Sequence, residues 1–208
     1  MADIIAIASQ KGGAGKTTLT MALAGQALIA GQRVVILDLD PQASVSTWSD
    51  QRDSEAPIVA SIQAARLQQE LTHAHKIADL ILLDTPPHAE STTLAVARAA
   101  DLVLIPCRPG FLDIMAIRAT ADMVTMAGKR PVIVFNGVRP NSKQAQDAAS
   151  AVAALPADVC SGHLSYRSDF DSAVTAGKTV QEHAPRSKAA DEVAAVFKWV
   201  ALRLPRKP

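Results

Sequence analysis

The sequence predicts an α/β fold: a doubly wound, mostly parallel sheet with helices on both faces. Three observations lead there. Short apolar runs rich in β-branched residues alternate with longer stretches of helical periodicity, the pattern of repeated βαβ units. The runs are apolar throughout rather than alternating, as strands covered on both faces are. The first run, moreover, passes through a glycine-rich turn straight into a helical stretch.

Strands are expected near residues 4–8, 34–39, 80–84, 102–106, 132–136 and 159–164, with helices between them. The first helix should run from Thr18 to Ala30, with Gly31 placed to end it before Arg33 leads into Val34-Val35-Ile36-Leu37. Residues 49–60 mix charge, Ser and Pro without periodicity and read as a surface excursion. The last helix, about Lys188 to Leu204, carries Val193, Val196, Phe197, Val200 and Leu204 on one stripe, which reads as core packing, and Pro205 closes it. With no internal repeat, low-complexity tract or linker, residues 1–208 are expected to form one domain, long enough to bury a substantial core.

Composition narrows the class. The formal net charge is +1, but residues 1–160 carry 13 basic and 15 acidic side chains whereas 161–208 carry 8 and 5, so the C-terminal end is the part suited to a polyanion. Cys107 and Cys160 are far apart and no signal peptide opens the chain, which reads as reduced thiols in the cytoplasm. No apolar run is long enough to span a bilayer. The five histidines lack metal-ligand spacing.

The stretch Lys11-Gly12-Gly13-Ala14-Gly15-Lys16-Thr17-Thr18 has the makings of a phosphate cradle between the first strand and the first helix. Glycines let backbone N–H groups turn inward, and the helix N-terminus adds its positive dipole end, so anionic oxygens meet several donors together. Lys16 is then expected to reach the β- and γ-phosphates and Thr17 to place its hydroxyl on Mg2+. Two departures stand out: the usual loop pattern has Gly where this chain has Gln10, and Lys11 is an additional cation.

Acidic residues that end the apolar runs are the next to inspect, because open parallel sheets bind ligands beyond the carboxyl ends of their strands. Asp84 closes Leu80-Ile81-Leu82-Leu83 before Thr85-Pro86-Pro87, where a carboxylate of the magnesium shell belongs. Asp38 and Asp40 flank Leu39; residues two apart on a strand point the same way, so both can face one site. Asp40 is expected to orient the water that attacks the γ-phosphate, and Asp38 to support the metal shell or the water network. The alternative is a turn made by Asp40-Pro41 and capped by Asp38.

Taken together, Lys11-Gly-Gly-Ala-Gly-Lys-Thr-Thr18, Asp38-Leu-Asp-Pro-Gln42 and Asp84-Thr-Pro-Pro87 resemble, in order and spacing, the deviant Walker ATPases of the ParA type. The likeness runs nearly end to end and is to the small members, since the first strand begins almost at Met1 and leaves no room for an N-terminal helix-turn-helix. The resemblance implies a P-loop fold that binds ATP and Mg2+ and forms an ATP-dependent homodimer, with Lys11 reaching across to the partner's phosphates. It also implies base contacts from Asn136 and, more weakly, Arg139, at the end of a strand. Pro109-Gly-Phe-Leu-Asp113 is similar to a family loop near the dimer interface and γ-phosphate, although Asp113 equally suits the capping of the helix that follows.

Residues 161–190 look like the family's nucleotide-responsive segment with DNA-contacting basic residues, here Arg186, Lys188 and Arg167, with Lys178, Arg203, Arg206 and Lys207 as lesser candidates. The function expected from the resemblance is a partition ATPase: a dimer that binds nonspecific double-stranded DNA on the nucleoid and is released when a ParB-like or other cargo adaptor stimulates slow hydrolysis. The competing expectation is a MinD-like ATPase with the last helix on a membrane, drawn from Phe197, Trp199 and Val200 beside Lys198 and Arg203. A nitrogenase-like iron protein lacks the cysteines for its cluster here, a bacterial tyrosine kinase would want more tyrosines than Tyr166, and a biosynthetic ligase remains an open third class.

Overall fold

A computed structural model describes residues 1–205; Arg206 and Lys207, among the lesser candidates for DNA contact, lie outside the described residues. The elements run β1 (Asp3–Ile7), α1 (Lys16–Ile29), β2 (Val34–Asp38), α2 (Ser44–Ser49), β3 (Ile58–Ser61), α3 (Leu67–Ile77), β4 (Leu80–Asp84), α4 (Glu90–Ala99), β5 (Leu102–Cys107) and α5 (Phe111–Met126). They continue with β6 (Pro131–Val138), α6 (Gln144–Val152), β7 (Asp158–Val159), β8 (Leu164–Ser165), α7 (Ser168–Thr175), α8 (Val180–His183) and α9 (Lys188–Ala201). The strands form one parallel sheet in the order β3-β2-β4-β1-β5-β6-β7, with β8 also paired to β6.

The uniformly apolar strands conceal a strict alternation. Ile5, Ile7, Val34, Ile36, Leu80, Leu82, Leu102, Leu104, Val132 and Val134 face the layer of α1, α2, α7, α8 and α9, whereas Ile4, Ala6, Val35, Leu37, Ile81, Leu83 and Val103 face α3, α4 and α5. Toward β6 the second face continues as Ile105, Ile133 and Phe135 under α5 and α6. Each fully buried Leu or Ile of these rows contributes roughly 1.5–3 kcal/mol. Because the two faces are equally apolar, the register is held by which residues end the strands and by the helices that cover them.

The first helix begins at Lys16, two residues before the expected start, and ends on the bonds of a Schellman motif, Gly31 N–H to Leu28 O at 2.9 Å and Gln32 N–H to Ala27 O at 3.0 Å. Residues 49–60 are not wholly an excursion: Ile58–Ser61 form β3, a parallel edge strand on β2. The segment before it is pinned by Arg52, whose guanidinium lies 4.5 Å from the Trp48 ring centroid and bonds Ala56 O, Gly177 O and Glu182. The expected strand at 159–164 divides into β7 and β8, because at Gly162 the chain passes hard against α9: an added Cβ would lie 3.1 Å from Val196 Cγ2 and 3.2 Å from its backbone N.

On α9, Val193, Val196 and Val200 are buried, with Phe197, Trp199 and Leu204 packed against the same core. The stripe that the membrane alternative would have to offer to lipid is therefore used inside the fold. No helix among the described residues is long and apolar enough to cross a membrane.

Candidate functional site

The site lies beyond the carboxyl ends of β1, β2, β4, β5 and β6. Residues 11–15 bridge β1 and α1, with Gly13 at φ +70° and Gly15, the N-cap of α1, at φ +91°. Gly15 is required twice over. Besides the left-handed backbone, which costs a residue with a Cβ about 1–2 kcal/mol, an added Cβ would sit 1.7 Å from Asn136 Nδ2. Gln10, where the usual pattern has Gly, is not among the positive-φ residues and so needs no glycine. Its N–H donates to Thr120 Oγ1 at 3.1 Å and its side chain reaches Thr93, which anchors the start of the loop to α5 and α4.

Lys16 is buried at 7% exposure on the first turn of α1. Burial lowers its pKa, opposed by the charges of Asp84 and Asp40. Asp38 and Asp84 are Cα partners in the β2–β4 register and lie on the α1 face of the sheet. Asp84 receives Thr17 Oγ1–H at 2.8 Å on one carboxylate oxygen and Thr20 Oγ1–H at 3.3 Å on the other. Burial pushes its carboxyl up to about 7; the Thr17 hydroxyl and Lys16 work against the rise, and the neighbouring Asp38 adds to it. Thr20 is a residue the sequence reading missed. Its signal was available, since it stands one helical turn after Thr17 on the same face.

Asp38 is fully buried and committed: it accepts from Asp40 N–H at 3.0 Å and from Ser46 N–H at 3.3 Å. It thus braces the chain that presents Asp40, the capping arrangement weighed against a direct metal contact. Asp40 is half-buried, accepts from Gln42 N–H at 2.9 Å through Oδ1, and lines the phosphate-loop cavity with Gly12, Gly13, Lys16, Thr17, Thr18 and Arg108. Asp38, two residues earlier at the end of β2, is fully buried and does not line this cavity, so only Asp40 of the pair reaches it.

Lys11 is 38% exposed at the mouth of the loop and pairs with Asp113 at 2.5 Å. Asp113 lies in the first turn of α5, whose N-cap is Gly110, so this carboxylate serves Lys11 rather than capping the helix.

A second cavity adjoins the first and is lined in part by Asn136, Gly137, Tyr166, Arg167, Phe170 and Arg108. Asn136 donates to Ala14 O at 3.1 Å and accepts from Gly137 N–H at 2.9 Å, so it also ties β6 to the phosphate loop. Arg139, expected beside it, does not line this cavity: it is exposed at the end of β6, with its N–H bonded to Gln144. Arg108, which follows β5 and was not singled out from the sequence, stands there instead.

A family model described as the CobQ/CobB/MinD/ParA nucleotide binding domain matches residues 5–180. The chain belongs to that family. Among the relatives of this CobQ/CobB/MinD/ParA-family protein, the maintenance of carboxysome distribution protein A of Halothiobacillus neapolitanus is 28% identical over 200 residues, covering 91% of this chain and 92% of the relative. The fold is shared with a putative plasmid partition protein of Borrelia burgdorferi bound to AMPPNP, at TM-score 0.77 and 17% identity over 98% of this chain and all of the other. It is shared likewise with the septum site-determining protein MinD of Pyrococcus horikoshii complexed with Mg-ADP, at TM-score 0.76 and 17% identity over 96% of each chain.

The residues of this family member fit a magnesium nucleotide. Thr17 and the buried Asp84 offer hard oxygen donors beside a helix N-terminus. No cluster of three His, Cys, Asp or Glu side chains forms a metal cage among the described residues. That suits Mg2+, which usually takes one or two carboxylates and completes its shell with water and phosphate oxygens.

Of the basic residues, Arg186 and Lys188 are exposed on either side of Ser187, the N-cap of α9. Cations there are disfavoured by the helix dipole by a few tenths of a kcal/mol, so helix stability does not account for them. Arg167, by contrast, is held by Glu192 at 2.6 Å, and Glu192 also accepts from Ser165 N–H and Oγ–H. Arg203 stacks on Trp199, 3.2 Å from the ring centroid.

Proposed function

We propose that this chain is a positioning ATPase that binds ATP with Mg2+, pairs with a second copy of itself, and as that dimer holds double-stranded DNA without regard to sequence. Hydrolysis, slow until an adaptor protein stimulates it, separates the pair and frees the DNA. The chain acts as one domain, in the cytoplasm and on the nucleoid, and its cargo is a plasmid, a chromosome or a protein assembly.

Within the site, Lys16 meets the β- and γ-phosphates and Thr17 and Asp84 hold the metal. Mg2+ held there would supply charge neutralisation to the phosphates. Asp38 acts through the backbone by fixing Asp40 N–H. Asp40 Oδ1 is taken by Gln42, and the second carboxylate oxygen orients the attacking water. Two copies of Arg186 and Lys188 in a dimer double the phosphate contacts, so DNA affinity follows ATP occupancy.

The observation that carries the reading is Lys11: a second lysine at the loop mouth, 38% exposed, engaged by an ion pair with Asp113 rather than packed into the fold. An ion pair at that exposure is worth at most about 1 kcal/mol, which phosphates of an apposed subunit readily outcompete. Analytical ultracentrifugation of wild type and Lys11→Ala with ATP or ADP tests it. The wild type should dimerise with ATP and not with ADP, and Lys11→Ala should stay monomeric with both. A Lys11→Ala protein that dimerises with ATP as the wild type does removes Lys11 from the interface.

A further inference from the structure

The strand order lays the site out along one edge of the sheet. From β2 to β6 the carboxyl ends carry Asp38 and Asp40, then Asp84, then the phosphate loop after β1, then Arg108 after β5, and lastly Asn136 on β6. The carboxylates and Lys16 mark the γ-phosphate end, and the cavity at β6 is the other end. Two cavities make up this run, and the residues lining both are Gly13, Gly15, Thr18 and Arg108. Among the described residues Arg108 is the one charged side chain that lines both.

Arg108 is exposed, and among the described residues no carboxylate lies within ion-pair distance and no hydrogen bond from its guanidinium is found. It passes over Gly137, where a Cβ would lie in ordinary van der Waals contact, 3.8 Å from its Cγ and 3.9 Å from its Nε. Its backbone is held between Pro106, in β5, and Pro109. Buried Lys16 and the N-terminus of α1 lie close by, the carboxylates lining the two cavities, Asp40 and Asp171, make no ion pair with Arg108, and the other arginine of the second cavity, Arg167, is paired with Glu192. An unpaired guanidinium in such a place is stabilised when an anion arrives.

We propose that Arg108 contacts the nucleotide of its own subunit at the α- and β-phosphates, where the phosphate chain leaves the loop toward the second cavity. The assignment rests on the nucleotide-binding reading of the loop. Its position between β1 and β6, on the side of the loop away from Asp40 and Asp84, gives it to the phosphates that ATP and ADP have in common. Arg108 therefore sets nucleotide affinity, whereas Lys11 senses the third phosphate.

Titration calorimetry of Mg-ADP and Mg-ATP against wild type, Arg108→Ala, Arg108→Lys and Lys16→Ala tests the assignment, with thermal midpoints recorded without nucleotide. Arg108→Ala should weaken ADP and ATP alike by roughly 10- to 100-fold, the loss of one charge-assisted contact, with an unchanged midpoint because the side chain is exposed and unpaired. Arg108→Lys, a point charge without the planar fork, should recover part of the loss. ADP affinity within twofold of wild type overturns the proposal, as does a loss confined to ATP, which would move Arg108 to the γ-phosphate or to the partner's site. Lys16→Ala separates the two levels: if it binds ADP as wild type does, the nucleotide reading itself fails, and if it does not, a null result at Arg108 counts against Arg108 alone.

Discussion

The contact between Gly15 and Asn136 gives a prediction whose size follows from the structure. In Gly15→Ala the new Cβ takes up φ +91°, at a cost of about 1–2 kcal/mol, and lies 1.7 Å from Asn136 Nδ2 and 3.0 Å from its Cγ. The amide must swing away and give up its bonds to Ala14 O and from Gly137 N–H, at about 1 kcal/mol each. The total is about 3–4 kcal/mol, or a midpoint lower by roughly 6–16 °C for a chain of this size. Asn136→Ala alone loses the two bonds, about 2 kcal/mol. In the double variant the Cβ has no amide to displace, so only the backbone cost adds to that loss. The double variant should therefore be scarcely less stable than Gly15→Ala, a coupling near 2 kcal/mol. Denaturant melts of the four proteins without nucleotide measure it. Strict additivity, or a Gly15→Ala protein as stable as wild type, would refute the argument that this glycine is fixed by Asn136.

Four further expectations concern chemistry, stability and binding. Asp40→Ala should bind ATP with near wild-type affinity and lose turnover in a phosphate-release assay; retained turnover takes Asp40 out of the mechanism. Burial pushes the Cys107 thiol up to about 12 and the Cys160 thiol up to about 11, so neither should react with Ellman's reagent in the native protein at pH 8, while both react in denaturant. In the unfolded chain these thiols ionise near 8.5, so stability should fall as pH rises from about 8.5 toward 11–12, where the unfolded chain has released protons that the folded one keeps. Arg186→Ala with Lys188→Ala removes four cations from a dimer, and the log–log slope of DNA affinity against salt should become shallower by about 3–4; an unchanged slope assigns the DNA contacts elsewhere.

What the sequence made legible follows from how local each signal is. The phosphate loop and the residues ending β2 and β4 stand beside the strands that present them, so Lys16, Thr17, Asp40 and Asp84 meet in one place. The first helix, the five longer strands and the packed stripe of α9 were readable for the same reason. The edge strand β3 was not, because four residues behind Pro57, half of them exposed, carry too little pattern. Arg108 and the Asn136–Ala14 bond depend on β1, β5 and β6 lying side by side, an adjacency across about a hundred residues that no local pattern encodes. The exposure of Arg139 is the same lesson in reverse: three residues beyond Asn136, the chain has already left the edge of the sheet.

The pairing of Asp38 with Asp84 shows how the fold is spent on the site. Two carboxylates registered across adjacent strands, both nearly inaccessible, oppose folding through desolvation and mutual repulsion. The chain offsets the cost at each one differently. At Asp38 burial raises the pKa, and two backbone N–H groups work against the rise by favouring the charged form. Asp84 receives only threonine hydroxyls, which are weak donors, and keeps a pKa near neutrality. A carboxylate left in that condition, with Thr17 and Lys16 beside it, gains most from a cation arriving from outside. The asymmetry between two otherwise equivalent strand ends is thus consistent with the division of roles proposed above: Asp38 holds the loop that carries Asp40, and Asp84, bonded to Thr17, is the carboxylate proposed to take the metal.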